Sequence, residues 1–192
     1  MAERQLSLDA CVLINLCATE RISEIAAALA TRFVVAREVS GETLGVRSGA
    51  DPSQRSPIEL GELVRTGVLE IVDLEGEEIA TFVRVAERLD DGEAATLALA
   101  VHRGLALLTD DRAALRLIAS EYAGLEVLST ARILRSYSEQ AHLPVGQIAA
   151  CLLAVEERAS FFPARIDPDG DWWRTQRRAS QGPDQVPPPT ST

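Results

Sequence analysis

The sequence contains no lysine, and all 19 of its basic residues are arginine. A P-loop nucleotide site uses a lysine on the phosphates, and a Schiff-base enzyme forms its intermediate on an amine. The acid-rich receiver domains of bacterial signalling need a lysine as well. The absence of lysine therefore excludes these three kinds of site.

Histidine and cysteine are scarce. The two histidines (His102, His142) and three cysteines (Cys11, Cys17, Cys151) show no metal-ligand spacing, so we expect no zinc site. The odd number of cysteines and the lack of a visible export signal favour the cytoplasm. No apolar run approaches the roughly 20 residues that span a bilayer, so we expect no membrane association.

The chain is acidic, with 29 acidic residues and a net charge of −10. Contacts with phosphates depend on local positive charge, so such a chain is a poor non-specific binder of nucleic acid. If it acts on nucleic acid, metal ions or a local group of arginines must offset the repulsion.

Strand-like and helix-like segments alternate along the sequence. "QLSLDACVLINL" begins as a strand and continues as a helix, and "LALLT" is apolar on both faces, as in a parallel sheet. "VLEIVDL" mixes Glu70 with apolar residues on one face, which favours an edge strand. The alternation predicts one α/β domain over residues 1–166, with three layers and a mainly parallel sheet.

The composition changes at about Asp167. Residues 167–192 lose hydrophobic periodicity and end in proline, serine and threonine, so we expect this tail to be largely disordered. The tail contains both tryptophans and three arginines: Trp172, Trp173, Arg174, Arg177 and Arg178. Two interpretations stay open, a surface peptide attached to the domain by a tryptophan and a contact with nucleic acid or a partner.

Acidic residues follow the predicted strands. Asp9 ends the first strand, Glu42 follows the second, and Asp110 and Asp111 end the fourth. Glu93 begins the helix that leads into the fourth strand. Ligands of open α/β folds bind at the carboxyl ends of strands, so we expect these acids to face one edge of the sheet. Clustered carboxylates repel one another unless protons or a cation neutralise them, and an all-oxygen set suits Mg²⁺ or Mn²⁺.

Most of these acids also fit a structural role. The D-x-x-E pair that ends at Glu93 matches a helix capping box, and Asp110 or Asp111 would cap the following helix. Glu42 would also fit a solvated helix position. Asp9 differs because it interrupts an apolar run, where an unpaired buried carboxylate is costly and requires compensation.

Four motifs resemble those of the small PIN-domain ribonucleases of the VapC toxin type. Haloacid dehalogenases and Toprim domains need D-x-D after a strand, which this chain lacks. The PIN-like motifs are "LSLDACVLINL", "FVVAREVSGETL", "DDGEAATLALA" and "LALLTDDRAAL", and the resemblance covers residues 6–134. The third motif is similar to the G-E-A-x-A-x-A-L-A variant of one PIN-like branch. The motifs place the four acids of the family at Asp9, Glu42, Glu93 and Asp111, with Asp110 beside the last.

The chain departs from the family pattern in two places. The family often has asparagine or serine two residues after the first acid, so Cys11 predicts the loss of a polar contact there. Residues 46–58 are longer and more polar than the smallest members need, and we interpret them as a substrate or partner loop.

The resemblance implies a three-layer PIN-like fold and a Mg²⁺- or Mn²⁺-dependent endoribonuclease acting on single-stranded or structured RNA. The implied catalytic residues are Asp9, Glu42, Glu93 and Asp111, and the implied metal ligands are Asp9, Glu93, Asp111 and Asp110. Thr109 would orient a carboxylate or a water, and Arg112 would either hold a phosphate or pair with a neighbouring acid. A small antitoxin protein and a homodimer are also implied. A catalytically silent PIN-like binding module is the alternative.

Overall fold

A computed structural model describes residues 4–42, 44–48 and 54–179. Five strands pair in parallel to form the central sheet. Their spatial order is β5 (Leu69–Val72), β2 (Thr31–Ala36), β1 (Arg4–Leu8), β6 (Ala106–Leu108) and β7 (Val127–Leu128). The prediction of a mainly parallel sheet is confirmed, and "VLEIVDL" supplies an edge strand as predicted.

Helices connect the strands. They are α1 (Ala10–Ala18), α2 (Ile22–Ala28), α3 (Arg37–Ser40), α4 (Leu60–Arg65), α5 (Glu77–Val85), α6 (Asp91–Arg103), α7 (Arg112–Glu121), α8 (Thr130–Gln140), α9 (Val145–Ala154) and α10 (Gly170–Ala179). A short π-helical segment, Val155–Ala159, extends α9. Within the described part of the chain, no helix combines the length and the apolar character that a membrane crossing requires.

The sheet lies between two layers of helices. In β1, Leu6 and Leu8 face a core layer formed with α1, α2, α8 and α9, whereas the hydroxyl of Ser7 faces α6 and donates to the Thr96 carbonyl at 3.2 Å. Leu107 of β6 packs on that second side, against α5, α6 and α7. This alternation follows from the two-residue period of a strand. The predicted three-layer α/β architecture is therefore confirmed.

The segment after β2 differs from the sequence-based prediction. The segment "SGETLGVRSG" predicts the opening of a helix, but α3 ends at Ser40. The next residues form β3 (Gly45–Arg47), which pairs with β4 (Arg55–Pro57) as an antiparallel hairpin. Val46 of β3 is buried against the core, which favours an extended conformation there. Residues 49–53 of the predicted loop lie outside the described residues.

The prediction of disorder from residue 167 onwards is wrong for α10. Trp173 of α10 is only 2% exposed and packs in the main core. Its indole N–H donates to Glu156 Oε1 at 2.8 Å, and its ring meets Phe161 edge-on with centroids 5.8 Å apart. One buried tryptophan thus attaches a helix whose other positions are mostly polar. Residues 180–192 of the predicted tail lie outside the described residues.

Candidate active site

The ends of two neighbouring strands bring the first and last predicted acids together. Leu8 of β1 pairs with Leu108 of β6, and the backbone N–H of Asp9 donates to the Leu108 carbonyl at 3.0 Å. Both chains then leave the sheet at its carboxyl edge, the position where parallel sheets bind ligands. Asp9 and Asp111 therefore lie close enough for the charge of one to affect the pKa of the other.

Asp9 is almost fully buried, with 4% of its surface exposed. Its Oδ2 accepts hydrogen bonds from the Thr109 hydroxyl at 2.9 Å and from the Cys11 thiol at 3.1 Å. Burial raises the pKa of Asp9 above its ordinary value, the two hydrogen bonds lower it in part, and the charge of Asp111 raises it further. A buried carboxylate needs hydrogen-bond partners, and for Asp9 they are the side chains of Thr109 and Cys11.

The predicted loss of a polar contact at Cys11 is wrong. The Cys11 thiol itself donates to Asp9, in the place where the family often has a hydroxyl or an amide. Burial and the charge of Asp9 raise the pKa of this thiol, so Cys11 keeps the proton that it donates. Sequence reasoning missed Cys11 as a partner of Asp9 because a thiol is the weakest of the common donors.

Asp111 has two structural bonds that both use one oxygen. Its Oδ1 accepts the backbone N–H groups of Ala113 at 2.6 Å and Ala114 at 2.8 Å, which caps α7. The backbone N–H of Asp111 donates to the Thr109 hydroxyl at 3.1 Å, and that hydroxyl donates to Asp9. Thr109 therefore links Asp9 to Asp111. Because both cap bonds use Oδ1, the capping role predicted for Asp111 is compatible with its predicted role as a metal ligand.

Glu93 lies half-buried in the first turn of α6. Burial raises the pKa of Glu93 to about 7, and the charges of Asp111, Asp9 and Asp90 contribute to that increase. A hydrogen bond from the Asp90 backbone N–H lowers it in part, which is one half of the predicted capping box. The Asp90 side chain makes no capping bond, so the other half of the box is missing.

Glu42 reaches the same acids from the end of α3. The residue as a whole is exposed, but partial burial of its carboxyl raises the pKa of Glu42, and the charges of Asp9 and Asp90 raise it further. A Cβ added to Gly92 would overlap with Glu42 Oε1. Glycine at position 92 therefore leaves the space that this carboxylate occupies. Sequence reasoning missed this role, although Gly92 stands directly before Glu93 in the third motif.

The Asp110 carboxyl forms hydrogen bonds with two residues of the scaffold, Thr130 and Asn15. Its Oδ1 accepts the backbone N–H of Thr130 at 3.1 Å, and its Oδ2 accepts the Thr130 hydroxyl and the Asn15 amide, the latter at 3.3 Å. Burial raises the pKa of Asp110 to about 6. Asp110 thus fixes the start of α8 to the end of β6. It does not cap α7, whose cap is Asp111, and its role as a metal ligand stays a prediction.

A cleft of about 570 Å³ opens beside these residues. Its floor contains Glu93, Thr109 and Asp111, and Arg112 lines it from the first turn of α7. Arg112 is exposed, and it forms no ion pair with any acid in the described part of the chain. Of its two predicted roles, the pairing with Asp110 or Asp111 is therefore not seen.

The chemistry of the donor set fits a hard divalent cation. Asp9, Glu42, Glu93 and Asp111 offer only carboxylate oxygens, and neighbouring acids raise the pKa of the first three, which is the signature of charge that lacks a counterion. Within residues 4–42, 44–48 and 54–179, no three acidic, histidine or cysteine side chains already converge as a metal-binding group. The catalytic and ligand roles of these four residues stay predictions.

The raised pKa values of Glu93 and Asp110 make the fold more stable in mild acid. Both carboxyls bind a proton more tightly in the folded chain than in the unfolded chain, so stability decreases as the pH rises through about 6 and 7. Solvent screening limits the contribution of Glu93 to about 1 kcal/mol, or about 2–4 °C in melting temperature. Thermal unfolding in EDTA between about pH 5 and pH 8 measures this trend.

The matched control for the pH experiment is an exposed glutamate outside the cleft. Glu93→Gln is expected to flatten the pH dependence, whereas Glu87→Gln is expected to leave it as in the wild type. A melting temperature that rises steadily from pH 5 to pH 8 in the wild type would contradict the burial of unpaired carboxyls at this site.

A family model described as a PIN domain, DUF3368, matches residues 6–165. That range begins within β1, contains every predicted catalytic residue and ends before α10. No curated protein and no solved structure matches the chain. The resemblance inferred from the four motifs is confirmed at the level of the PIN domain.

Proposed function

Because the chain belongs to the PIN-domain family, we propose that it is a Mg²⁺- or Mn²⁺-dependent endoribonuclease and the toxin of a toxin–antitoxin pair. PIN domains are in general nucleases, so phosphodiester hydrolysis is the coarse activity that the family supports. The observation that carries the metal-dependent proposal is the group of carboxyls at the carboxyl edge of the sheet, where burial and neighbouring acids raise the pKa of Asp9 and Glu93. Such a group is stabilised by a cation and is unfavourable without one.

In the proposed reaction, a water attacks phosphorus in line and the bond to the 3′ oxygen breaks, which leaves a 3′-hydroxyl and a 5′-phosphate. A bound divalent ion lowers the pKa of the water and neutralises the charge that builds on the phosphate. Asp9, Glu42, Glu93 and Asp111 would hold the ion. Carboxylate oxygens are ligands that both Mg²⁺ and Mn²⁺ prefer.

The other residues of the site hold these ligands in place. Thr109 and Cys11 both donate to Oδ2 of Asp9, which holds this carboxylate in place. The α7 cap fixes Asp111 through its Oδ1 in the same way. Arg112 stands on the cleft wall, where its guanidinium would hold a phosphate oxygen.

The proposal includes a small antitoxin that inserts an arginine into the acidic floor, because that floor has unbalanced negative charge. It also includes a homodimer and a cytoplasmic location, where the free thiols of Cys11, Cys17 and Cys151 would stay reduced. A gene for a small protein beside the gene for this chain would support the toxin assignment.

Removal of divalent ions tests the metal-dependent activity. The purified chain is expected to cleave an unstructured RNA in Mn²⁺, to lose that activity in EDTA and to recover it when Mn²⁺ is restored in excess. The Mn²⁺ affinity is measured by calorimetry on the same sample. Equal cleavage in EDTA would overturn the metal site, and the absence of both Mn²⁺ binding and cleavage would favour the catalytically silent module, in which Asp111 serves only as a cap.

A further inference from the structure

One wall of the cleft exposes large apolar side chains. Residues 160–169 form this wall, and within it Phe162 is 66% exposed and Ile166 is 89% exposed. Leu115 of α7 lines the same cleft and is also partly exposed. Exposed apolar groups that line a cleft beside a reactive centre are typical of a ligand-binding surface.

The wall is fixed at both ends, so its exposed side chains do not belong to a loose segment. Phe161, the neighbour of Phe162, turns inward and packs edge-on against the buried Trp173. At the other end, Asp169 is 1% exposed and forms ion pairs with Arg132 at 2.8 Å and Arg135 at 2.9 Å on α8. Phe161 thus packs on the core, and the exposed ring of Phe162 lies next to it on a backbone that is held at both ends.

The apolar wall and the acidic floor belong to one continuous cleft. Glu93 and Asp111 lie at its floor, and the exposed Arg112 gives it a cation beside those acids. A ligand that fills the cleft therefore has a phosphate near Arg112 and the acids, and a flat apolar group against Phe162. A nucleotide combines these two features.

We propose that Phe162 is a stacking platform for an unpaired base next to the scissile phosphate. The proposal rests on the nuclease function proposed above. A base in a duplex is already stacked on both faces, whereas an unpaired base can place one face on an aromatic ring. Such a contact is sequence-tolerant, because every base has a π face.

The test compares two oligomers of equal length, a uridine RNA and a chain of 1′-deoxyribose phosphates that has the same charge but no bases. Binding is measured by fluorescence anisotropy with Ca²⁺ in place of Mn²⁺, so that the measurement does not require cleavage. The wild type is expected to bind the uridine oligomer about 10-fold more tightly than the abasic one, as one stacked base allows. Phe162→Ala is expected to reduce that preference to about 1, and Phe162→Trp to restore it.

The matched control is Val83→Ala, which removes a side chain of similar exposure on α5, outside the cleft. This variant is expected to keep the preference of the wild type. An unchanged preference in Phe162→Ala, or no preference in the wild type, would overturn the stacking platform and assign the apolar wall to a protein partner. Cleavage of the uridine RNA in Mn²⁺ is scored separately: a wild type that shows the base preference but cleaves nothing would contradict the nuclease and leave the platform supported.

Discussion

Asp9→Asn is expected to abolish Mn²⁺-dependent cleavage while leaving the fold at least as stable as in the wild type. The amide oxygen of asparagine can still accept the hydrogen bonds of Thr109 and Cys11, so the local scaffold is kept. The negative charge is lost, which weakens the binding of a divalent cation at this position. We expect a decrease of about 10²–10³-fold or more in the cleavage rate, the range seen when one charge-stabilising group is removed from a catalytic centre.

The expected stability of this variant follows from the sign of the pKa shift. Burial raises the pKa of Asp9, which means that the ionised form is disfavoured in the folded chain at neutral pH. A neutral side chain of the same shape removes that unfavourable term. The melting temperature in EDTA is therefore expected to equal or exceed that of the wild type, a gain in stability at the expense of function.

Asp91→Asn serves as the control, because Asp91 is an exposed acid in the first turn of α6 and does not line the cleft. It is expected to retain the cleavage rate of the wild type. Rates are measured on a fluorescent single-stranded RNA, and folding is checked by thermal unfolding. A folded Asp9→Asn protein that cleaves at the wild-type rate in Mn²⁺ would contradict the assignment of Asp9 to the metal site.

The second large effect is on stability. Trp173→Ala is expected to lower the free energy of unfolding by about 3–5 kcal/mol, the usual cost of replacing a buried large aromatic side chain by alanine. The substitution removes a fully buried ring, its edge-on contact with Phe161 and the indole hydrogen bond to Glu156. The melting temperature is expected to decrease by about 10 °C.

Two further variants separate the contributions of Trp173. Trp173→Phe keeps an aromatic ring but loses the N–H donor, so we expect a smaller loss. Arg178→Ala, at an exposed position of the same helix, is expected to change the free energy of unfolding by less than about 0.5 kcal/mol. Chemical denaturation gives these values. If Trp173→Ala unfolds like the wild type, α10 is not part of the cooperative fold.

The sequence predicted the parallel sheet because its signals are local. "LALLT" is apolar on both faces and "VLEIVDL" is not, which separated the central strand β6 from the edge strand β5. Asp9 was recognisable for a similar reason, since a carboxylate in an apolar run demands a partner wherever the chain folds. Those two signals are enough to indicate a sheet and an acidic carboxyl edge.

The partners of the acids were not predictable in the same way. Asp110 is held by Asn15 and Thr130, which are 95 and 20 positions away along the chain, and no spacing rule connects such residues. The fit of Glu42 against Gly92 depends on how α3 meets α6, which is also a property of the folded chain. The sequence therefore identified candidate acids but not the bonds that orient them.

Composition was misleading at the end of the chain. Polar residues dominate Gly170–Ala179, and this composition predicts disorder. Trp173 nevertheless packs α10 on the core. A helix needs only one large buried side chain to be held on a preformed surface, and Trp173 fills that role. The average composition of a segment does not show that one of its side chains will be buried.

The wall of the cleft and its acidic floor are supported by different parts of the fold. Asp9 and Asp111 follow the strands β1 and β6, whereas the wall is held by α8 and α10. The family match ends within the wall, after Phe162 and before Ile166. A substitution in the wall can therefore change which molecules fit the cleft without moving the strands that position the acids.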